Sequence, residues 1–157
     1  MYMDEAIFTK VDNFFTQFKH LFYKKGEIII RGDDDPSGVF YLKKGYVKQY
    51  VISKKGDEVV LNVFGPSAFF PMSWVINEKP NIYFFEATTD LSMWRATRNE
   101  TLTFVKNNPD VLYDLLSRVY KGVDGMLQRM TYLMSASAYE RLILELLIYS
   151  KRFGKVQ

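Results

Sequence analysis

Between Asp4 and His20 the apolar residues Ile7, Val11, Phe14, Phe15 and Phe18 recur at intervals of three and four, the period of one helix face. The segment 4–20 therefore predicts a short amphipathic helix. From Leu21 to Ala96 the texture changes to short runs rich in β-branched and aromatic residues: "EIII", "VFYL", "YVKQYVI", "VVLNVF", "IYFFEA" and "LSMWRA". Gly32, "KKG", "SKKGDE", "GP" and "TTD" separate them. Short runs at this spacing predict an antiparallel sandwich or roll instead of a βαβ fold. Gly26, Gly32, Gly45, Gly56 and Gly65 stand where turns call for a positive φ.

The helical period returns at Thr97. In "TRNE", Thr97 can accept from the third following amide while Glu100 reaches back, a capping box that opens a helix through Lys106. "NNPD" predicts a second start, with Asn108 as N-cap, Pro109 at the first helical position and Asp110 at the positive end of the dipole. Leu112, Leu116, Val119, Val123, Met126, Met130 and Leu133 then alternate steps of four and three, a coiled-coil seam. Leu115, Leu127 and Met134 add a partial second stripe. The pattern suits a long helix packed on its own domain or on a partner's equivalent helix, and the simplest assignment uses both faces. Gly122 and Gly125 each cost about 1 kcal/mol in a helix interior, so close approach of a neighbouring backbone or a ligand is expected there. Ser137 and Glu140 form another capping box ahead of "AYERLILELLIYSKRFG", an amphipathic helix ending at Gly154.

The fold class expected is α+β, mainly β: an antiparallel β-roll or jelly roll with flanking helices and a long C-terminal dimerisation helix. A chain of 157 residues, 48% hydrophobic and 17% aromatic, is long enough for one buried core. The net charge of +3 is spread over doublets such as Lys24-Lys25, Lys43-Lys44 and Lys54-Lys55, each followed by glycine, and this describes turns better than a nucleic-acid surface. With no cysteine and a single histidine, His20, thiol catalysis, iron-sulfur clusters and metal centres are not expected. No apolar run has the length of a membrane span and no leader pattern opens the chain, so a cytoplasmic protein is expected. The three carboxylates of "GDDDPS" (32–37) read as a solvated turn, and no nucleophile and base accompany them, so an enzyme is not expected.

The order of these pieces resembles the Crp/Fnr family of bacterial transcription regulators, which includes the cyclic-AMP receptor protein. "FYKKGEIIIRGD", "VFYLKKGYVKQY", "GDEVVLNVFGP", "EATTDLSMWRAT", "NNPDVLYDLL" and "ERLILELLIYSKRFG" carry the resemblance in their order and spacing, from residue 19 onward. It implies a β-roll of the cyclic-nucleotide-binding type over 1–108, a dimerisation helix over 109–135 and a hinge helix over 137–154. It also implies a homodimer, with DNA contacted through a winged helix-turn-helix that this chain does not contain, and RNA polymerase as a further partner. The final helix looks like the hinge that would carry that domain; a natural sensor or adaptor without DNA binding is the alternative.

In cyclic-nucleotide-binding members the stretch equivalent to "NVFGPSAFFPMSWVINEKPNIYFFEATTD" (62–90) holds a glycine-glutamate pair and then an arginine followed by a hydroxyl residue. Here those places fall on Phe69 and Phe70, and on Asn81 and Ile82. The adenine-contacting hydroxyls fall near Met126 and Leu127. A buried phosphate would lack charged partners, so cyclic AMP is not expected, and a divergent cyclic-nucleotide-binding module stays as a rival. What remains is an aromatic and methionine-rich enclosure of Phe69, Phe70, Trp74, Tyr83, Phe85, Met126 and Met130. Either these residues simply fill the core, or they receive a small apolar or aromatic effector, oriented by Asn81 or Gln128, with Arg129 available to a carboxylate. No cofactor is expected beyond such an unidentified effector.

Overall fold

A computed structural model describes residues 4–135 and 137–154. Residues 1–3 of the roll expected over 1–108 lie outside them. The chain divides into a unit ending at Val111 and a second unit from Leu112 onward.

In the first unit, helix α1 (Glu5–Phe15) opens where the Asp4 carboxylate accepts from the Ala6 amide. It stops before the predicted end at residue 20 because Lys19–Tyr23 forms strand β1, whose pairing to a neighbour outweighs the local helical period. The other strands are β2 (Ile28–Ile30), β3 (Val39–Lys44), β4 (Val47–Ile52), β5 (Glu58–Phe64), β6 (Phe69–Phe70), β7 (Phe84–Ala87) and β8 (Leu91–Ala96). They make two four-stranded sheets, β1-β8-β3-β6 and β2-β7-β4-β5, with every pair antiparallel. This is the predicted roll.

Alternation along the strands builds the core. Phe40, Leu42, Phe70 and Met93 from one sheet meet Ile30, Val47, Phe85 and Ala87 from the other. Tyr41 points away from that layer yet is also buried, because α1 covers it: its ring stacks on Phe15 at 5.0 Å and its hydroxyl donates to Asp12 at 3.3 Å. Burying a side chain of this size stabilises by roughly 2 to 3 kcal/mol. Lys43 pairs with the same Asp12 and lies 5.0 Å from the centre of the Phe8 ring.

Two of the five expected left-handed glycines are not left-handed. Gly26, Gly45 and Gly56 have positive φ, but after Gly32 and Gly65 the left-handed residues are Asp33 (φ 68°) and Ser67 (φ 72°). Gly32 is needed for space instead, since a Cβ there would lie 2.6 Å from the Phe84 ring.

Helix α3 (Arg98–Asn107) carries the predicted capping box between Thr97 and Glu100. The Asn108 side chain, expected to open the next helix, donates backward to the Phe104 carbonyl at 2.7 Å and so helps to close α3. Helix α4 (Pro109–Ser135) begins directly after it. The Lys10 ammonium beside Asp110 holds that carboxyl below the usual aspartate range.

The second unit contains the rest of α4 and helix α5 (Ala138–Phe153), which opens on the predicted box of Ser137 and Glu140. Arg129 of α4 donates to both Glu145 oxygens of α5, at 2.8 and 2.7 Å. No helix among the described residues is long and apolar enough to cross a membrane.

Candidate effector site

The segment between β5 and β7 holds the positions that the resemblance matches to phosphate-binding side chains, Phe69, Phe70, Asn81 and Ile82. Phe69 and Phe70 pair with Tyr41 and Phe40 of β3, and as neighbours in a strand they point to opposite sides. Phe70 enters the layer between the sheets and stacks on Phe64 at 5.1 Å and Phe85 at 5.2 Å. Phe69 faces Phe15 of α1 at 5.8 Å. The expected enclosure is thus divided between two cores, with Tyr83 packed against the first.

After a cis Phe70–Pro71 bond, helix α2 (Met72–Asn77) buries Val75, half-buries Trp74 and ends on Glu78 in the left-handed conformation. Arg98, at the start of α3, donates from Nε and Nη2 to the Val75 carbonyl at 3.0 and 2.8 Å and from Nη2 to Glu78 at 2.6 Å. That guanidinium therefore closes the C-terminal end of α2.

Asn81 is 4% exposed. Its amide nitrogen donates to the carbonyls of Arg31 at 3.0 Å and Tyr83 at 2.8 Å, and its carbonyl accepts from the Tyr83 amide at 3.2 Å. Its backbone carbonyl also accepts from Asp33 at 3.0 Å. Both amide hydrogens are engaged inside the fold, so the orienting role expected of Asn81 has no free donor behind it. Ile82, at the hydroxyl position, is 56% exposed. The only charged residues from Phe64 to Phe85 are Glu78, paired with Arg98, and Lys79, which is exposed.

Strands β4 and β5 contribute a polar pair that the motif comparison missed. Gln49 stands opposite Asn62 on one side and Phe85 on the other, so all three share the face that Val47 and Phe64 bring to the core. Asn62 accepts from the Val63 amide at 2.9 Å. Gln49 is half-buried, and among the described residues its side chain makes no hydrogen bond. The signal was available as alternation within "YVKQYVI", where Gln49 falls two residues after the buried Val47.

On the opposite face of the same strands, Lys48 bonds to Glu58 at 2.8 Å and pairs with Glu86 at 3.3 Å. Burial alone would lower the Lys48 pKa, but the bonds to these two carboxylates outweigh it and hold the ammonium above its ordinary range. Burial and the bond to Glu86 likewise raise the Tyr50 hydroxyl.

The remaining candidates lie in the helical unit. Met126, Leu127 and Gln128 are exposed there, and Arg129 is occupied by Glu145. The seam positions Leu112, Leu116, Val119, Val123, Met126, Met130 and Leu133 are all exposed in the single chain. A Cβ at Gly122 or Gly125 would meet nothing within 4 Å, so the expected close neighbour is not supplied among the described residues. A surface groove of about 480 Å³ between α1 and α3, floored by the stacked Phe14 and Phe104, shares no residue with these candidates.

The profile of the cyclic nucleotide-binding domain matches residues 20–108. The c-di-GMP-responsive global regulator CLP of Xanthomonas campestris is 17% identical and superimposes with a TM-score of 0.81 over 95% of this chain and 75% of its own. The catabolite activator protein of Thermus thermophilus is 21% identical, with a TM-score of 0.63 over 79% of this chain. A second Thermus thermophilus protein, a transcriptional regulator of the CRP/FNR family, is 23% identical, with a TM-score of 0.64 over 84% of this chain. The chain spans 60% of the length of the catabolite activator protein and 65% of that second Thermus regulator. No curated protein matches the sequence. By its roll, and by the profile match across more than half its length, the chain belongs to the cyclic nucleotide-binding domain family, in the fold it shares with the sensor regions of Crp/Fnr transcription regulators.

Proposed function

We propose that this chain is the effector-sensing and dimerising region of a cytoplasmic Crp/Fnr-type transcription regulator whose signal is not cyclic AMP. The observation carrying the second half is Asn81. The position matched to a phosphate-binding arginine holds a neutral side chain whose donors are bonded to Arg31 and Tyr83. The segment's cation, Lys79, is exposed at the surface, and a buried, unpaired phosphate costs several kcal/mol. The effector this site suits is small and largely apolar, received on the core-facing side of β4 and β5, where Gln49 offers an unengaged carboxamide beside Phe85.

Signalling follows as a population shift: an effector that binds one state of the dimer better favours that state by its differential affinity. The dimer forms through the α4 seam, DNA is contacted through a winged helix-turn-helix in the complete regulator, and RNA polymerase is the downstream partner. The regulatory character of the structural neighbours supports a non-enzymatic role.

Calorimetric titration with cyclic AMP, cyclic GMP and c-di-GMP tests the ligand assignment. No heat of binding is expected; saturable heat with any of them assigns the chain to the divergent nucleotide-binding module instead. Native mass spectrometry of protein purified from its own host then identifies what the roll carries.

A further inference from the structure

The chain has no cysteine, so its thioethers are the only sulfur open to oxidation. They are not evenly placed. Met126, Met130 and Met134 follow one another at intervals of four along α4 and form a single stripe. They are 58%, 55% and 85% exposed, whereas Met93 is sealed in the core of the roll. Two of the three, Met126 and Met130, occupy the apolar seam itself. Thioethers suit such a surface because they are flexible and apolar, and oxidation removes the second property.

We propose that Met126 and Met130 are an oxidation site through which peroxide weakens self-association; this rests on the α4 dimer put forward above. The thioether sulfur attacks the outer oxygen of hydrogen peroxide, an S–O bond forms as the O–O bond breaks, and the proton leaves with the other oxygen as water. Sulfur gives up two electrons and peroxide takes them, so no further co-reactant is required. The product sulfoxide is polar, and re-forming the seam then buries an S=O group with no donor supplied by its Leu and Val neighbours. Met126 and Met130 react in the free chain and are shielded in the dimer. The modification therefore captures dissociated chains and holds them apart.

The test compares sedimentation of the protein before and after hydrogen peroxide, with peptide mass spectrometry to locate the added oxygen. Oxygen is expected on Met126, Met130 and Met134 and not on Met93, and at Met126 and Met130 faster at low protein concentration than at high. Self-association should weaken about tenfold or more, the effect of one buried unsatisfied polar group. A Met126→Leu, Met130→Leu protein is compared with itself before and after the same treatment, and whatever its starting dimer affinity, that affinity should not change; the roll's thermal transition, unchanged by either step, serves as the folding control. Equal dimerisation of oxidised and reduced wild-type protein overturns the oxidation site and leaves the dimer reading intact. Untreated protein that stays monomeric at all concentrations overturns both.

Discussion

Asn81 donates an amide hydrogen to the carbonyl of Arg31 at 3.0 Å, joining the turn after β2 to the segment that leads into β7. The same side chain exchanges two further bonds with Tyr83. Asn81→Ala leaves the Arg31 and Tyr83 carbonyls without these partners in a buried place, and stability should fall by about 2 kcal/mol. Urea unfolding measures this directly. Asn81→Arg should destabilise at least as much and should not create cyclic AMP affinity, because the larger cation removes the same brace. Tight cyclic AMP binding by that variant would mean that the pocket needed only the missing charge.

Val119 and Val123 lie four residues apart in the middle of the α4 seam, both exposed in the single chain. Val119→Glu together with Val123→Glu places like charges into any interface formed there, which costs about 3 kcal/mol or more when they are buried unpaired. Sedimentation should show the double variant as a monomer at concentrations where the parent is a dimer. The roll's thermal transition should be unaffected. An unchanged sedimentation mass would remove the seam from the interface.

Strands β2 to β5, β7 and β8 were legible because they are short runs rich in β-branched and aromatic residues ended by turns, and the capping boxes because Thr97 with Glu100 and Ser137 with Glu140 are local pairs; β1 was not, because the helical period over 4–20 runs into it. Phe69–Phe70 and Met72–Asn77 were not legible, since two residues have no period and six helical residues complete fewer than two turns. The role of Asn81 was hidden for another reason. Arg31, its partner, is 50 positions away in sequence, and only the fold brings the two together. The family resemblance singled out Asn81 for the charge it lacks. The three-dimensional arrangement supplies what it does instead.

Gly122 and Gly125 sit in the interior of α4 with open space where a Cβ would stand. In a monomeric background such as the Val119→Glu, Val123→Glu protein, Gly→Ala at either position should stabilise the helix by about 1 kcal/mol. Their positions relative to the seam differ. Gly122 is adjacent to Val123 and flanks the seam, while Gly125 lies farther round the helix. In the dimer, Gly125→Ala should keep its gain and Gly122→Ala should lose it and weaken association, because a methyl there meets the partner's backbone. Helical content by circular dichroism and dimer affinity by sedimentation, measured for both variants in both backgrounds, decide the matter. Equal behaviour of the two glycines would leave Gly122 without a packing role.

Glu100 and Glu140 each accept from a cap hydroxyl and a cap amide, those of Thr97 and Ser137, and these bonds hold both carboxyls below the ordinary glutamate range. Asp90 is lowered in the same way by the Lys25 amide and the Lys24 ammonium. A depressed carboxyl binds its proton less readily folded than unfolded, so stability rises with pH across this interval. The contribution is full above the unfolded glutamate value of about 4.3 and is lost as pH falls through the lower folded-state values. Unfolding midpoints in urea should therefore fall on acidification from about pH 6 to about pH 3, with carboxylates as the cause. Glu100→Gln separates this cap from the rest, because glutamine keeps the capping-box geometry and does not titrate. The variant should lose less stability than the parent over the same interval. Parallel curves for the two proteins would show that the Glu100 cap contributes nothing to the acid transition.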